Sequence, residues 1–251
     1  SNRVGDLSAL RGLTGMDQLW LDNNRITDLT PLTGMTQLSR LFVYGNQIEN
    51  LKPLTGMKKL GNLSLWGNRI RDLTPLASLP QLRQLRLNAN RITDLTPLAG
   101  LTRLDTLWLN ANKITDLQSL AGLKELRALK VDNNQITRLD PIAGLAKLSH
   151  FSAWKNQIES IAPLAGLTEL RHLDLSENRI REVASLKDLR KLRKLYLFIN
   201  RIEDPAPLAT LQSLTVLNLA DNPFPATAAA AVQKALPKCE VKTSLHPRDG
   251  R

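Results

Sequence analysis

The chain has 251 residues and carries 34 Lys and Arg against 23 Asp and Glu, a formal charge of +11. One Cys excludes an intramolecular disulfide framework and any Cys-based metal cluster, and no apolar run approaches the roughly 18 residues of a membrane span. With 42% apolar residues but only 4% aromatics, the composition fits an ordered, soluble chain with a leucine-rich core. The chain starts without an initiator Met or a charged-then-apolar leader, so a signal peptide is absent or already removed.

Asparagines recur every 22 residues, from Asn2, Asn24 and Asn46 to Asn200 and Asn222, without one slip. Residues 1–16 hold Val4, Leu7, Leu10, Leu13 and Met16 in phase with a repeat whose strand is missing. They read as a truncated first repeat without a cap, whose apolar end invites association. Residues 17–224 are full repeats. Each opens on a Leu-x-Leu segment such as Leu19-Trp20-Leu21 or Leu107-Trp108-Leu109, which alternates with period two and predicts a short strand with its leucines inward. After the Asn comes an Ile (Ile26, Ile48, Ile70), then apolar residues three apart, as in Leu29, Leu32, Met35 and Leu38. A period of three suits a 3₁₀-like return. Pro31, Pro53, Pro75, Pro97, Pro141, Pro163 and Pro207 sit early in that return, where a missing N–H is tolerated, and glycines such as Gly34 and Gly100 follow where the chain turns back.

These features predict an α/β solenoid: a parallel sheet of about ten strands with right-handed connections. The repeating Asn has a physical role, because its amide both donates and accepts and so satisfies backbone groups that water cannot reach. The stretch 185–207, with Pro205 in a Leu slot and Lys187-Asp188 for the usual Ala-Gly, is expected to be the least regular. Phe151 with Ala153 is a large-for-small exchange that keeps core volume, and Phe224 stands in an Ile slot of the core. Residues 225–242 read as a cap, an Ala-rich helix over 226–236 stopped by Pro237 and a last strand at Cys239-Glu240-Val241. Residues 243–251 read as a disordered tail.

This pattern resembles the leucine-rich repeat family. The segment Asp94-Leu95-Thr96-Pro97-Leu98-Ala99-Gly100-Leu101, with variants at residues 28–35 and 72–79, is similar to the 22-residue bacterial internalin type. The resemblance implies a horseshoe with the sheet on its concave side, 3₁₀ or helical returns on its convex side, and ligands bound on the concave face. Internalins begin with a helical cap that this chain does not show.

In a repeat protein the inward positions answer to packing, so function is sought at the outward ones. Eight of the ten aromatic residues (Trp20, Phe42, Tyr44, Trp66, Trp108, Trp154, Tyr196 and Phe198) fall at two outward strand positions of each repeat. Chance would place about one of them there. Strand propensity accounts for rings on a pleated surface, but it would supply Val, Ile and Thr as well, and these are nearly absent. Rings of this kind anchor protein interfaces, so they are expected to bind a protein partner, with Arg86 and Lys130 supplying charge among them. Arg25, Arg69, Arg91, Lys113, Arg179 and Arg201 form a basic row after the Asn, expected to be a solvated edge paired with Asp28, Asp72, Asp94, Asp116 and Asp204. The densest basic run, Lys187 to Lys194, leads into Tyr196 and Phe198 and suits a phosphate-bearing ligand. Basic residues are otherwise spread over all repeats, which argues against nucleic acid.

His150 and His172 share one outward position on adjacent strands, a weak metal candidate without a third fixed ligand. No phosphate loop, Gly-x-Ser-x-Gly or His-Glu-x-x-His motif occurs, so neither an enzyme nor a cofactor is expected. Two classes of function stand side by side. One is a bacterial adhesin or host-interaction domain, secreted or on the cell surface as the resemblance favours. The other is a cytoplasmic scaffold or sensor arm similar to the phosphatase-regulating leucine-rich repeat proteins. Polyanion or glycan binding is a minor third.

Overall fold

The structure, a computed structural model, describes residues 3–244; Asn2 and most of the expected tail, residues 245–251, lie outside the described residues. The chain divides into two units, residues 1–129 and 130–251. In the first, strands β1 (Gln18–Trp20), β2 (Arg40–Phe42), β3 (Asn62–Ser64), β4 (Gln84–Arg86) and β5 (Thr106–Trp108) pair in parallel in chain order. Strand β6 (Ala128–Lys130) falls at the border in the sequence. In the second unit β7 (His150–Ser152), β8 (His172–Asp174), β9 (Lys194–Tyr196), β10 (Val216–Asn218) and β11 (Glu240–Lys242) pair likewise. Each register is a shift of 22 residues up to β10, so equivalent residues of neighbouring repeats stand side by side about 4.8 Å apart.

The leucine-rich repeat solenoid is visible in each turn. Leu63, Leu65, Ile70, Leu73, Leu76, Leu79 and Leu82 are all essentially inaccessible, so the strand, the turn and the return each bury their apolar side against the same interior. The returns are 3₁₀ helices of three to five residues, and Pro stands at the start of those at Thr30–Leu32, Lys52–Leu54 and Thr74–Ser78 among others. A short Asp closes most of them. Asp28 Oδ1 accepts from the N–H of Thr30, and Asp72, Asp94, Asp116 and Asp204 take the N–H two residues on in the same way. These carboxylates are engaged as turn caps, and among the described residues none forms an ion pair with the basic row that was expected to pair with them. Helix α1 (Ala226–Ala235) packs on the last 3₁₀ return and on β11. No helix among the described residues is long and apolar enough to cross a membrane.

Two expectations change. The stretch 185–207 is regular: the return Ala184–Leu186 and strand β9 have the usual three residues, and Pro205 is buried in its Leu slot as the residue that leads into Ala206–Thr210. Proline suits that position because it needs no N–H partner there. Phe224 is only half-buried, because its slot lies past the last strand–return repeat, where α1 takes the place of another turn.

The repeating Asn performs its role along the described repeats, buried at Asn46, Asn68, Asn134, Asn156, Asn178 and Asn200 and half-buried at Asn24, Asn90, Asn112 and Asn222. Asn46 Nδ2 donates to the carbonyls of Val43 and Leu21 at 3.0 Å, and its Oδ1 accepts from Ile26 N–H at 3.0 Å. Bending the chain around this amide forces the preceding residue into the left-handed region. Gly45 and Gly67 adopt it freely, but Ala89, Ala111, Lys155 and Ile199 have φ between 52° and 56° as well. For a β-branched residue this conformation costs on the order of 1–2 kcal/mol. Ile199 is 38% exposed, so Ile199→Asn sets a partial loss of burial against the relief of the strain. It is expected to stabilise the protein by about 1 kcal/mol in a urea titration; a loss of stability would show that the Ile199 side chain packs more than it strains.

Candidate binding face

In the first unit Trp20, Phe42, Arg86 and Trp108 end their strands, and Tyr44 and Trp66 stand two residues past β2 and β3, just beyond the strands in which they were expected; all six face the solvent side. None of the five rings is in the core: Trp20 is 57% and Trp66 36% exposed, and the other three are half-buried. The 22-residue register brings them together in pairs. Trp20 stacks on Phe42 with centroids 5.7 Å apart and planes within 8°, and Tyr44 stacks on Trp66 at 4.7 Å and 11°. Arg86 lies with Cζ 4.7 Å from the Trp108 ring centroid, a cation–π arrangement between register partners. The Tyr44 hydroxyl donates to Asp22, which raises its pKa above the ordinary phenol value. Stacking and these polar ties fix the orientation of the rings.

The second unit presents Lys130, Trp154, Tyr196 and Phe198 on its solvent side. Lys130 is exposed and the three rings half-buried. Beside them lies a polar centre. Asp132 is 8% exposed and accepts from the Ser152 hydroxyl and from Trp154 N–H at 3.0 Å; burial raises its pKa. Asp174 accepts from Ser176 N–H at 3.0 Å, and desolvation pushes its pKa up to about 6. His150 and His172 stack with centroids 6.0 Å apart, and His172 meets Tyr196 at 5.6 Å. Desolvation, with the neighbouring His150 and lysines, lowers the His172 pKa. Among the described residues no group of three or more His, Cys, Asp or Glu gathers as metal ligands, so the two imidazoles stand as a stacked pair. Cys239 is buried beside α1.

Asp174 gives a pH prediction. Its folded pKa lies above the unfolded value of about 3.9, so the folded state binds the extra proton between roughly pH 4 and 6, and this group favours folding at the acid end and penalises it above pH 6. Asp174→Asn keeps the acceptor for Ser176 and removes the charge. It is expected to stabilise the second unit by about 2 kcal/mol at pH 7 and by nothing at pH 4, read as the difference between variant and wild type in urea titrations at both values. An equal gain at both pH values would show that the carboxylate is not desolvated.

The pairing is legible in the sequence. Up to β10, side-by-side partners are 22 residues apart, a rule that places Trp20 beside Phe42, Tyr44 beside Trp66, Arg86 beside Trp108 and His150 beside His172. It does not give the burial of Asp132, which accepts from Ser152 and Trp154 N–H of the next repeat.

Known proteins show the same architecture. Leucine-rich repeat family models match residues 58–144, in overlapping two-copy segments, and residues 146–202. An internalin of Listeria monocytogenes, inlF, superposes with a TM-score of 0.93 at 32% identity, covering 98% of this chain and 72% of that one. Internalin C2 of the same organism has 36% identity and a TM-score of 0.71, over 74% of this chain and 82% of that one. A leucine-rich repeat protein of Leptospira interrogans has 25% identity and a TM-score of 0.80, over 92% and 67%. No curated protein sequence matches the chain significantly. Repeat length, strand register and the Asn ladder define a leucine-rich repeat protein. The chain belongs to that family in its internalin-like branch.

Proposed function

We propose that the chain is a non-enzymatic protein-recognition module, part of a bacterial surface or secreted protein, which docks a protein of a host or neighbouring cell on the aromatic side of its sheet. The observation that carries this reading is the placement of eight of ten rings on the solvent side of the strands, where packing does not require them. Exposing rings of this size to water is unfavourable, and such an apolar strip on a soluble protein marks a contact surface. The likeness to internalins supports a role outside the bacterial cell.

The first unit supplies the main anchor. Trp20, Phe42, Tyr44 and Trp66 offer two flat stacked faces, and Arg86 beside Trp108 receives an acidic group of the partner. The second unit adds Trp154, Tyr196 and Phe198 around Asp132 and Asp174, with Lys130 at the edge. The test is capture of candidate surface proteins by the immobilised wild-type chain and by the Trp66→Ala, Trp108→Ala double variant. The partner should be retained by the first and lost by the second at an unchanged melting temperature. Equal retention would refute docking on this face.

A further inference from the structure

The second unit carries a cation cluster that the aromatic face does not use. Leu186, Leu189, Leu192 and Leu195 are each fully buried, and a burial period of three turns the two residues between successive leucines outward. Five of those six residues are Lys187, Arg190, Lys191, Arg193 and Lys194, all exposed; the sixth is Asp188. The four slots at 190, 191, 193 and 194 lie just ahead of and at the start of strand β9, and no other repeat holds more than two Lys or Arg in the equivalent four. The cluster is therefore a departure from the repeat and not a by-product of it.

Its charges are largely uncompensated. Lys191 pairs with Glu169 at 2.5 Å, while among the described residues Lys187, Arg190, Arg193 and Lys194 make no ion pair. Arg193 N–H and Lys194 N–H both donate to the Arg171 carbonyl, at 2.9 and 3.1 Å, which sets a further guanidinium alongside in the preceding repeat. On the other side Lys187 and Arg190 border an open notch of about 380 Å³ whose remaining lining is Asp188, Thr210, Gln212 and Ser213.

We infer that this rim binds a sulfated polysaccharide chain. The cluster's own slots hold no exposed apolar side chain, so its affinity must be electrostatic, which suits a flexible polyelectrolyte that releases counterions better than a folded protein surface. Arginine forks engage oxyanion esters in bidentate fashion, and the Ser213 hydroxyl at the notch matches the hydroxyls of a sugar, while the Thr210 hydroxyl already donates to the Lys187 and Pro207 carbonyls. The four slots themselves hold no ring, and the nearest, Tyr196, is half-buried against His172, which disfavours the base stacking of nucleic acid.

The test is binding of a heparin octasaccharide to the full chain by isothermal titration calorimetry at about 50 mM and about 200 mM NaCl. Affinity should fall steeply with salt, and the variant R190S/K191S/R193S/K194S should bind at least about tenfold more weakly at the lower salt. Two controls should stay within about twofold of wild type: R25S/R69S/R91S/K113S, which removes four exposed cations from the first unit, and W66A/W108A. All the replaced cations are exposed, so circular dichroism should show every charge variant folded. An equal loss in the first control, weak salt dependence, or tighter binding of an oligothymidylate of equal charge would overturn the inference.

Discussion

Replacing Asn156 with Asp is expected to lower the stability of the second unit by about 3 kcal/mol at pH 7, although the two side chains are nearly the same shape. Asn156 Nδ2 donates to Val131 O at 3.0 Å and to Ala153 O at 3.1 Å, and Oδ1 accepts from Ile136 N–H at 3.0 Å. The residue is 9% exposed. A carboxylate keeps the bond from Ile136 but turns the donor into a second acceptor, facing two carbonyl oxygens where water does not reach. The charged form is disfavoured there, so the carboxyl pKa rises, and part of the loss should be recovered as pH falls and the group takes up a proton that it can donate to one carbonyl. Urea titrations at pH 7 and pH 4 read both effects. A loss below about 0.5 kcal/mol at pH 7 would mean that the ladder amides contribute little beyond turn geometry.

The second large effect concerns binding. Trp66→Ala and Trp108→Ala should each weaken the complex with the captured partner by about 2 kcal/mol or more, roughly thirtyfold in Kd, because aromatic anchors carry a disproportionate share of interface energy. Folding stability should move by less, since both rings lie on the solvent side of the strands. Trp66→Ala also removes the stacking surface under Tyr44, so its loss should exceed that of the more isolated Trp154→Ala. Surface plasmon resonance of the three variants separates these cases. If Trp154→Ala alone abolished binding, the main anchor would belong to the second unit.

The 22-residue period made the fold legible because packing constraints repeat. The same Leu slot of each repeat faces the same interior, so one repeat read correctly gives the rest. The Asn ladder was legible for the same reason: an amide at a fixed turn position has one chemical use. The aromatic surface was legible by exclusion, since the rings of Trp20 and Trp66 stand at positions that alternation sends outward. The protonation behaviour of Asp174 was not legible. A carboxylate at an outward slot reads as solvated, and only the neighbouring side chains decide whether water reaches it. The pairing of the basic row failed on a different point: Asp28 and its equivalents were read as partners for arginines, yet an N–H two residues along the chain competes for the same carboxylate and is always within reach. Phe224 failed because a slot rule holds only while another repeat follows to cover it.

Trp20 and Trp108 end strands β1 and β5, and Trp66 and Trp154 stand two residues past β3 and β7 in outward slots, which allows a direct test of where the partner docks. The chain labelled with 5-fluorotryptophan gives one ¹⁹F resonance for each of Trp20, Trp66, Trp108 and Trp154, assigned by single Trp→Phe variants. Titration with the captured protein partner should shift or broaden the Trp20, Trp66 and Trp108 resonances in proportion to occupancy. Saturation with partner while all four resonances stay in place would contradict docking on the aromatic face.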